Sequence, residues 1–171
     1  MNKAAQILIK NLNLIKHPEG GYFAEIYRST DMIIKEHLPE RFNKSKVFST
    51  AIYFLLTNDD FSSFHKLKAD EIWHFYSGSS LIFYEIDKDS ILHKSVLSSD
   101  MTEDTTFTKV VKAGNWLAAE VTHKDSYSLV GCTVSPGFEF DDFELAKREE
   151  LISLHPQHRN IIEKLTRISI E

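Results

Sequence analysis

Along most of the chain, apolar and polar residues alternate in short runs separated by turn-forming residues, whereas both ends follow a longer period. Short alternating runs mark strands with one buried face. They predict strands at 22–30, 47–57, 61–67, 71–76, 81–87, 91–97, 107–111, 116–122 and 127–134. Turn chemistry separates them at Asn58-Asp59-Asp60, Gly78-Ser79-Ser80, Lys88-Asp89, Ala113-Gly114-Asn115 and around Lys124-Asp125. Near the start, Asn2 is placed to cap a helix whose face is Ala5, Leu8, Ile9 and Leu12. His17-Pro18-Glu19-Gly20-Gly21 breaks that helix. The segment 31–46 is polar and mixed in sign, and reads as an exposed loop with a helical turn. Beyond Pro136-Gly137, Phe138, Phe140 and Phe143 stud an acidic linker. A helix is expected over 143–154 and a second from Pro156 to about Thr166. The pattern predicts a mostly β sandwich or barrel with a short N-terminal helix and two C-terminal helices.

A chain of 171 residues that is 42% hydrophobic suits one domain with a sizeable core. The formal charge of −5 opposes nonspecific attraction to nucleic acid or to a membrane surface. The apolar residues near the start are interrupted by Gln6, Lys10 and Asn11, so no leader is expected there. No apolar run reaches the roughly 20 residues that span a bilayer. The single cysteine, Cys132, excludes an intrachain disulfide and a thiolate metal cluster, which fits a reducing, cytoplasmic setting. Cys132 has no cationic neighbour in sequence and reads as a buried, inert thiol.

Candidate chemistry concentrates in two adjacent runs that carry His65, Glu71 and His74. In simple alternation Glu71, Trp73 and Phe75 share one face, and Ile72, His74 and Tyr76 the other. Trp73 and Phe75 mark the Glu71 face as inward. An ionised carboxylate there is costly unless paired, which makes Glu71 the leading functional candidate. His65 beside it reads as a general base with Glu71 orienting the ring. His74 reaches the same cavity only if a bulge intervenes. Tyr53 lies in the run before these two, and Tyr76 ends the second. Trp73 and Trp116 read as cavity wall or core. Arg28 suits either an anionic group of a ligand or an internal ion pair. Glu139, Asp141, Asp142 and Glu144 precede the expected C-terminal helix, where the macrodipole favours carboxylates.

His65, Glu71 and Gly78 fit the spacing of the first cupin motif, and Lys112–Leu117 stands where the second is expected. Further blocks extend the likeness along the chain: His17–Tyr22, Tyr27–Ser29, Ser49–Tyr53, Asp70–His74, Ala113–Trp116, Gly131–Phe138 and Asp142–Leu145. The chain resembles the cupin-5 family, once described only as a domain of unknown function. That resemblance implies a double-stranded β-helix, or cupin jelly roll, and a homodimer. It also implies a small polar or sugar-like molecule in the barrel. Metal-binding cupins supply two His and one Glu from the first motif and one His from the second. Here Leu67 and Leu117 stand at two of those places, leaving His65 and Glu71 as an incomplete metal set. The leading expectation is therefore metal-free isomerase or epimerase chemistry on a sugar-type substrate. Similarity to jelly-roll sugar-nucleotide epimerases, which pair a barrel histidine with a tyrosine, implies Tyr53 or Tyr76 as the acid. A non-catalytic metabolite-binding module and a metal-dependent oxygenase or hydrolase are the alternatives.

Overall fold

The structure, a computed structural model, describes residues 2–100 and 102–168. Asn2 caps the first helix: its side-chain oxygen accepts from the amides of Ala4 at 2.8 Å and Ala5 at 3.3 Å. Helix α1 spans Lys3–Asn11. The chain then runs through β1 (Ile15–Lys16), β2 (Tyr22–Arg28), β3 (Met32–Ile33), β4 (Lys46–Val47) and β5 (Thr50–Thr57). Next come β6 (Phe61–Leu67), β7 (Asp70–Gly78), β8 (Leu81–Ile86), β9 (Leu92–Leu97) and β10 (Thr105–Thr106). The last strands are β11 (Thr108–Val111), β12 (Trp116–Val121), β13 (Tyr127–Ser135) and β14 (Phe143–Leu145). Helices α2 (Arg148–Leu154) and α3 (Arg159–Lys164) follow.

Two six-stranded sheets face one another, in the orders β1-β2-β5-β13-β7-β11 and β10-β9-β8-β12-β6-β14. This is the jelly-roll barrel, mostly β, with one N-terminal and two C-terminal helices. Between the sheets pack Phe54, Leu56, Trp73, Phe83, Leu117 and Val130, all buried. Each outer face takes a helix. Ala5 and the α1 face sit on Leu55 and Leu129 of the first sheet. Leu151, Ile152, Ile162 and Leu165 cover Phe64, Ile86 and Ala118 of the second. One end of the inter-sheet space stays open, and the site lies there. No helix of the described residues is long and apolar enough to cross a membrane.

Three expectations need correction. The stretch 143–154 is not one helix. Phe143 and Leu145 pair with Leu67 and His65 on the open edge of β6, and only Arg148–Leu154 is helical. Pairing an unfilled sheet edge outweighs local helix propensity. The acidic residues before α2 are therefore not helix-terminal charges. Asp141 pairs with Lys44 at 2.7 Å, Glu144 with Lys66 at 3.1 Å, and Asp142 with the buried Lys46. Nor is 31–46 simply an exposed loop. Its expected helical turn is present, as a 3₁₀ turn at Lys35–His37, but the segment also forms the β3–β4 ladder and buries Phe42 and Lys46 against the 139–145 segment.

Candidate functional site

The open end of the barrel holds a cavity of about 100 Å³, lined by β2, β5, β6, β7 and β13 and by the 17–19 and 138–143 segments. Strand alternation alone would not build it. Ser62 and His65 lie three apart on β6, so a regular strand would point them to opposite faces. A bulge intervenes: Leu117 pairs with His65, but Ala119 pairs with Ser62. The extra residue brings both side chains inward. The same device acts on β2, where Glu25 pairs with Ile52 but Tyr27 pairs with Ala51. Glu25 and Arg28 thereby both reach the cavity mouth.

Glu19 approaches from the turn before β2. Gly20 and Gly21 have φ of 117° and 68°, a region that L side chains rarely occupy. They let the turn tuck Glu19 under β6. The Arg167 guanidinium holds it there, donating to the carbonyls of Glu19 (3.3 Å) and Phe61 (2.9 Å) and to Asp60 (2.6 Å).

The floor is a chain of buried polar groups. Ser62 donates to Glu19 Oε1 at 2.7 Å. Glu19 Oε2 lies 3.3 Å from His17 Nδ1 and 3.4 Å from His65 Nε2. His65 Nδ1 sits 2.8 Å from the Ser63 carbonyl, which fixes Nδ1 as the donor and leaves Nε2 as the acceptor facing Glu19. Trp73 Nε1 donates to Glu71 Oε2 at 2.8 Å. Cys132, buried, lies beside Glu71, and burial together with that carboxyl pushes its thiol well up.

Burial dominates the titration of these groups. It raises Glu19 to about 8, against the Ser62 hydrogen bond and the Arg167 charge. It raises Glu71 to about 7; His65 opposes this and Glu19 adds to it. Burial and the neighbouring His65 lower His17 to about 4. Burial also lowers His65, with Glu71 and the Ser63 carbonyl pulling the other way. Near neutral pH burial holds the imidazoles toward the uncharged form, Glu19 keeps its proton, and Glu71 lies close to balance between acid and base.

Of the residues singled out in the sequence, His65, Glu71, Trp73 and Arg28 line this cavity. Glu71 and Trp73 point inward, as alternation requires. His65, however, is oriented by Ser63 and faces Glu19, whereas Glu71 is oriented by Trp73. Tyr53, His74 and Tyr76 are not brought to the cavity. Tyr53 and His74 both pair with Gly131 and lie on the outer face of the sheet. The β7 bulge falls at Tyr76, beyond His74, so it cannot turn His74 inward. Tyr76 is half exposed and its ring meets Tyr53 at 6.0 Å. Arg28 forms the internal ion pair: two bonds to Glu25 (3.0 and 2.7 Å) and one to Glu139 (2.9 Å). Trp116 belongs to the core beneath the C-terminal helices.

His17 and Glu19 were missed as functional candidates. Their signal was an acid set directly before two glycines, in a stretch that read as a helix break and as one block of the family resemblance, with no chemistry assigned to it. The aromatic trio of the acidic linker was visible but had no assigned place. Phe138, Phe140 and Phe143 roof the cavity, and Phe143 stacks on His65 at 5.4 Å.

With this geometry in place, comparisons identify the family. The model of the cupin-5 family, described as "Cupin superfamily (DUF985)", matches residues 6–146. The chain belongs to the cupin-5 family. A crystal structure of a protein from Shewanella oneidensis is similar at 36% identity, covering 98% of both chains, with a TM-score of 0.84. A hypothetical protein from Leishmania major is 30% identical, covering 96% of this chain and 99% of that one, with a TM-score of 0.86. An uncharacterized protein of Saccharomyces cerevisiae is 29% identical over 154 residues, 85% of this chain and 76% of its own length. Oxalate decarboxylase from Bacillus subtilis shares only the fold: 11% identity, 88% of this chain, 36% of that chain and a TM-score of 0.53.

The cupin barrel raises the question of a metal. The four positions His65, Leu67, Glu71 and Leu117 do converge, around a void of only about 10 Å³. Two of them are leucines that contribute no lone pair. Among the described residues no three His, Cys, Asp or Glu side chains are grouped to hold an ion. The donor set does not fit the four-ligand site of metal-binding cupins.

Proposed function

We propose that the barrel cavity binds a small polar molecule and moves a proton on it, as an isomerase or epimerase of a small carbonyl compound does. The observation that carries this reading is the Glu19–His65 contact at 3.4 Å, with Glu71 on the same cavity. A carboxyl raised to about 7 is half ionised at neutral pH and is a stronger base than an ordinary carboxylate. Glu71 would take the proton from the carbon next to a carbonyl. The protonated Glu19, sharing its proton with His65 Nε2, would give one to the carbonyl oxygen. The resulting enediol collapses when Glu71 returns its proton to the adjacent carbon and the Glu19–His65 pair recovers one from the adjacent hydroxyl. Atoms balance without a co-reactant. His65 and Glu19 thus act as one acid, and Glu71 as the base.

The space suits a three- or four-carbon compound better than a nucleotide-linked sugar, being far below the roughly 300–1,000 Å³ of sites for larger ligands. Glyceraldehyde and dihydroxyacetone in D₂O, followed by NMR, test the reading. The expected result is deuterium entry next to the carbonyl, faster with protein than with buffer. Glu71→Gln should lower it by about 10²–10⁴-fold. Binding of these compounds without exchange would replace catalysis with a metabolite-binding module.

We also infer self-association. Tyr27, Ala51, Thr133, Ile72 and Val110 follow one another in register across the outer face of the first sheet. Tyr27, Ile72 and Val110 are exposed, and no charge interrupts the row. A second copy of the chain is the occupant that the homodimer reading implies.

A further inference from the structure

The cavity has two chemically distinct walls. One is aromatic. The rings of Phe138, Phe140 and Phe143 lie 5.1, 6.4 and 6.4 Å apart, with interplanar angles of 78°, 71° and 77°. Three rings set nearly at right angles make a corner of this wall, with the His17 ring stacked on Phe140 at 5.9 Å and the His65 ring on Phe143 at 5.4 Å. The other wall is acidic: Glu19, Glu25, Glu71 and Glu139 all line the same space. Arg28 stands between Glu25 and Glu139 and pairs with both, so its guanidinium is taken and the two carboxylates keep one uncompensated negative charge between them. The His17 and His65 side chains are 7% and 2% exposed, and burial holds both toward the uncharged imidazole.

An anionic ligand would meet carboxylates here with no unshared guanidinium to receive it. A divalent metal ion would find aromatic faces where it needs lone pairs. A weakly hydrated organic cation suits both walls, because ring faces attract it through their quadrupoles and carboxylates through their charge. We propose that the ligand carries an organic ammonium group, methylated or quaternary, seated in the Phe138–Phe140–Phe143 corner and facing Glu25 and Glu139. The volume of about 100 Å³ matches such a head group. This inference rests on the cavity being a ligand site, as proposed above, and is independent of the proton-transfer step.

Trp73 lines the cavity and is buried, so its fluorescence reports occupancy. Three probes separate charge from shape: choline, its neutral carbon isostere 3,3-dimethylbutan-1-ol, and butyrate. Choline is expected to shift the emission saturably, the isostere to bind about tenfold more weakly, and butyrate not to bind. Phe140→Leu keeps an apolar side chain but removes a ring face. At 51% exposure the change is tolerable to the fold, which a melting curve checks. It should weaken choline about fivefold and leave the isostere unchanged. The proposal is overturned if the isostere equals choline, if butyrate competes, or if choline fails to saturate. It is also overturned if magnesium or zinc displaces choline stoichiometrically. Choline binding without deuterium exchange would sink the catalytic reading alone. Exchange without choline binding would sink this one alone.

Discussion

Glu19 is a carboxyl that folding moves to a place where ionisation is unfavourable. Its folded value of about 8 lies above the ordinary 4.5, so the native state keeps a proton that the unfolded chain releases. Glu71, at about 7, acts in the same sense. The stability that these groups contribute is full below pH 4.5 and is lost as pH rises through 7 and 8. His17 acts oppositely, because its folded value of about 4 lies below 6.5, and its contribution grows as pH rises between the two. Above pH 6.5 the carboxyls dominate, and the Cys132 thiol, also pushed up, adds to the same trend at the alkaline end. The melting temperature should therefore fall from about pH 6.5 to 9, and Glu19→Gln, which keeps the Ser62 hydrogen bond, should flatten that fall. Equal slopes would mean that Glu19 is already ionised in the native protein. His65 and Glu71 could be read from the sequence because an imidazole and a carboxylate in strand-like runs, one beside Trp73, stand out by residue type alone. Glu19 could not, since its role depends on a turn that brings it beneath a strand more than forty residues later.

At the scale of elements, most strands begin and end within two residues of where alternation places them. Alternation also put Glu71 and Trp73 inward and His74 outward. It could not register the bulges in β2 and β6, which carry no glycine or other local mark and arise from pairing with partner strands. Those bulges decide which side chains share the cavity. It failed again at β14, where an open edge captured a segment with helical periodicity. The roof depends on a buried ion pair. Lys46 and Asp142, 0% and 5% exposed, tie the 31–46 segment to the one that bears the three phenylalanines. Lys46→Met leaves Asp142 buried with only Lys68, at 3.7 Å, to answer its charge. A loss of about 3 kcal/mol is expected by chemical denaturation. Adding Asp142→Leu should restore most of it, since an apolar pair of similar volume avoids the desolvation of both charges. No recovery in the double variant would show that the pair is needed for packing rather than for charge balance.

For the whole molecule, a β sandwich or barrel was legible because many short strands with polar turns have few other ways to bury their apolar faces, and the resemblance to cupins narrowed it to the jelly roll. The outer face of the first sheet was not legible, since alternation cannot distinguish solvent from a partner. Ile72→Glu should convert a dimer to a folded monomer in sedimentation experiments, because a charge in that uncharged row has no partner when two copies meet. A wild-type protein that sediments as a monomer at micromolar concentration would remove the interface. Arg167 sets a further condition on how the molecule comes into being. It grips the turn holding Glu19 and the start of β6 across 148 and 106 positions of sequence. Contacts so far apart in sequence form after the local strand pairings they close over. The seat of Glu19 is thus closed by the most distant contacts in sequence, and loss of the Arg167 guanidinium would loosen that buried acid while the strands stay paired.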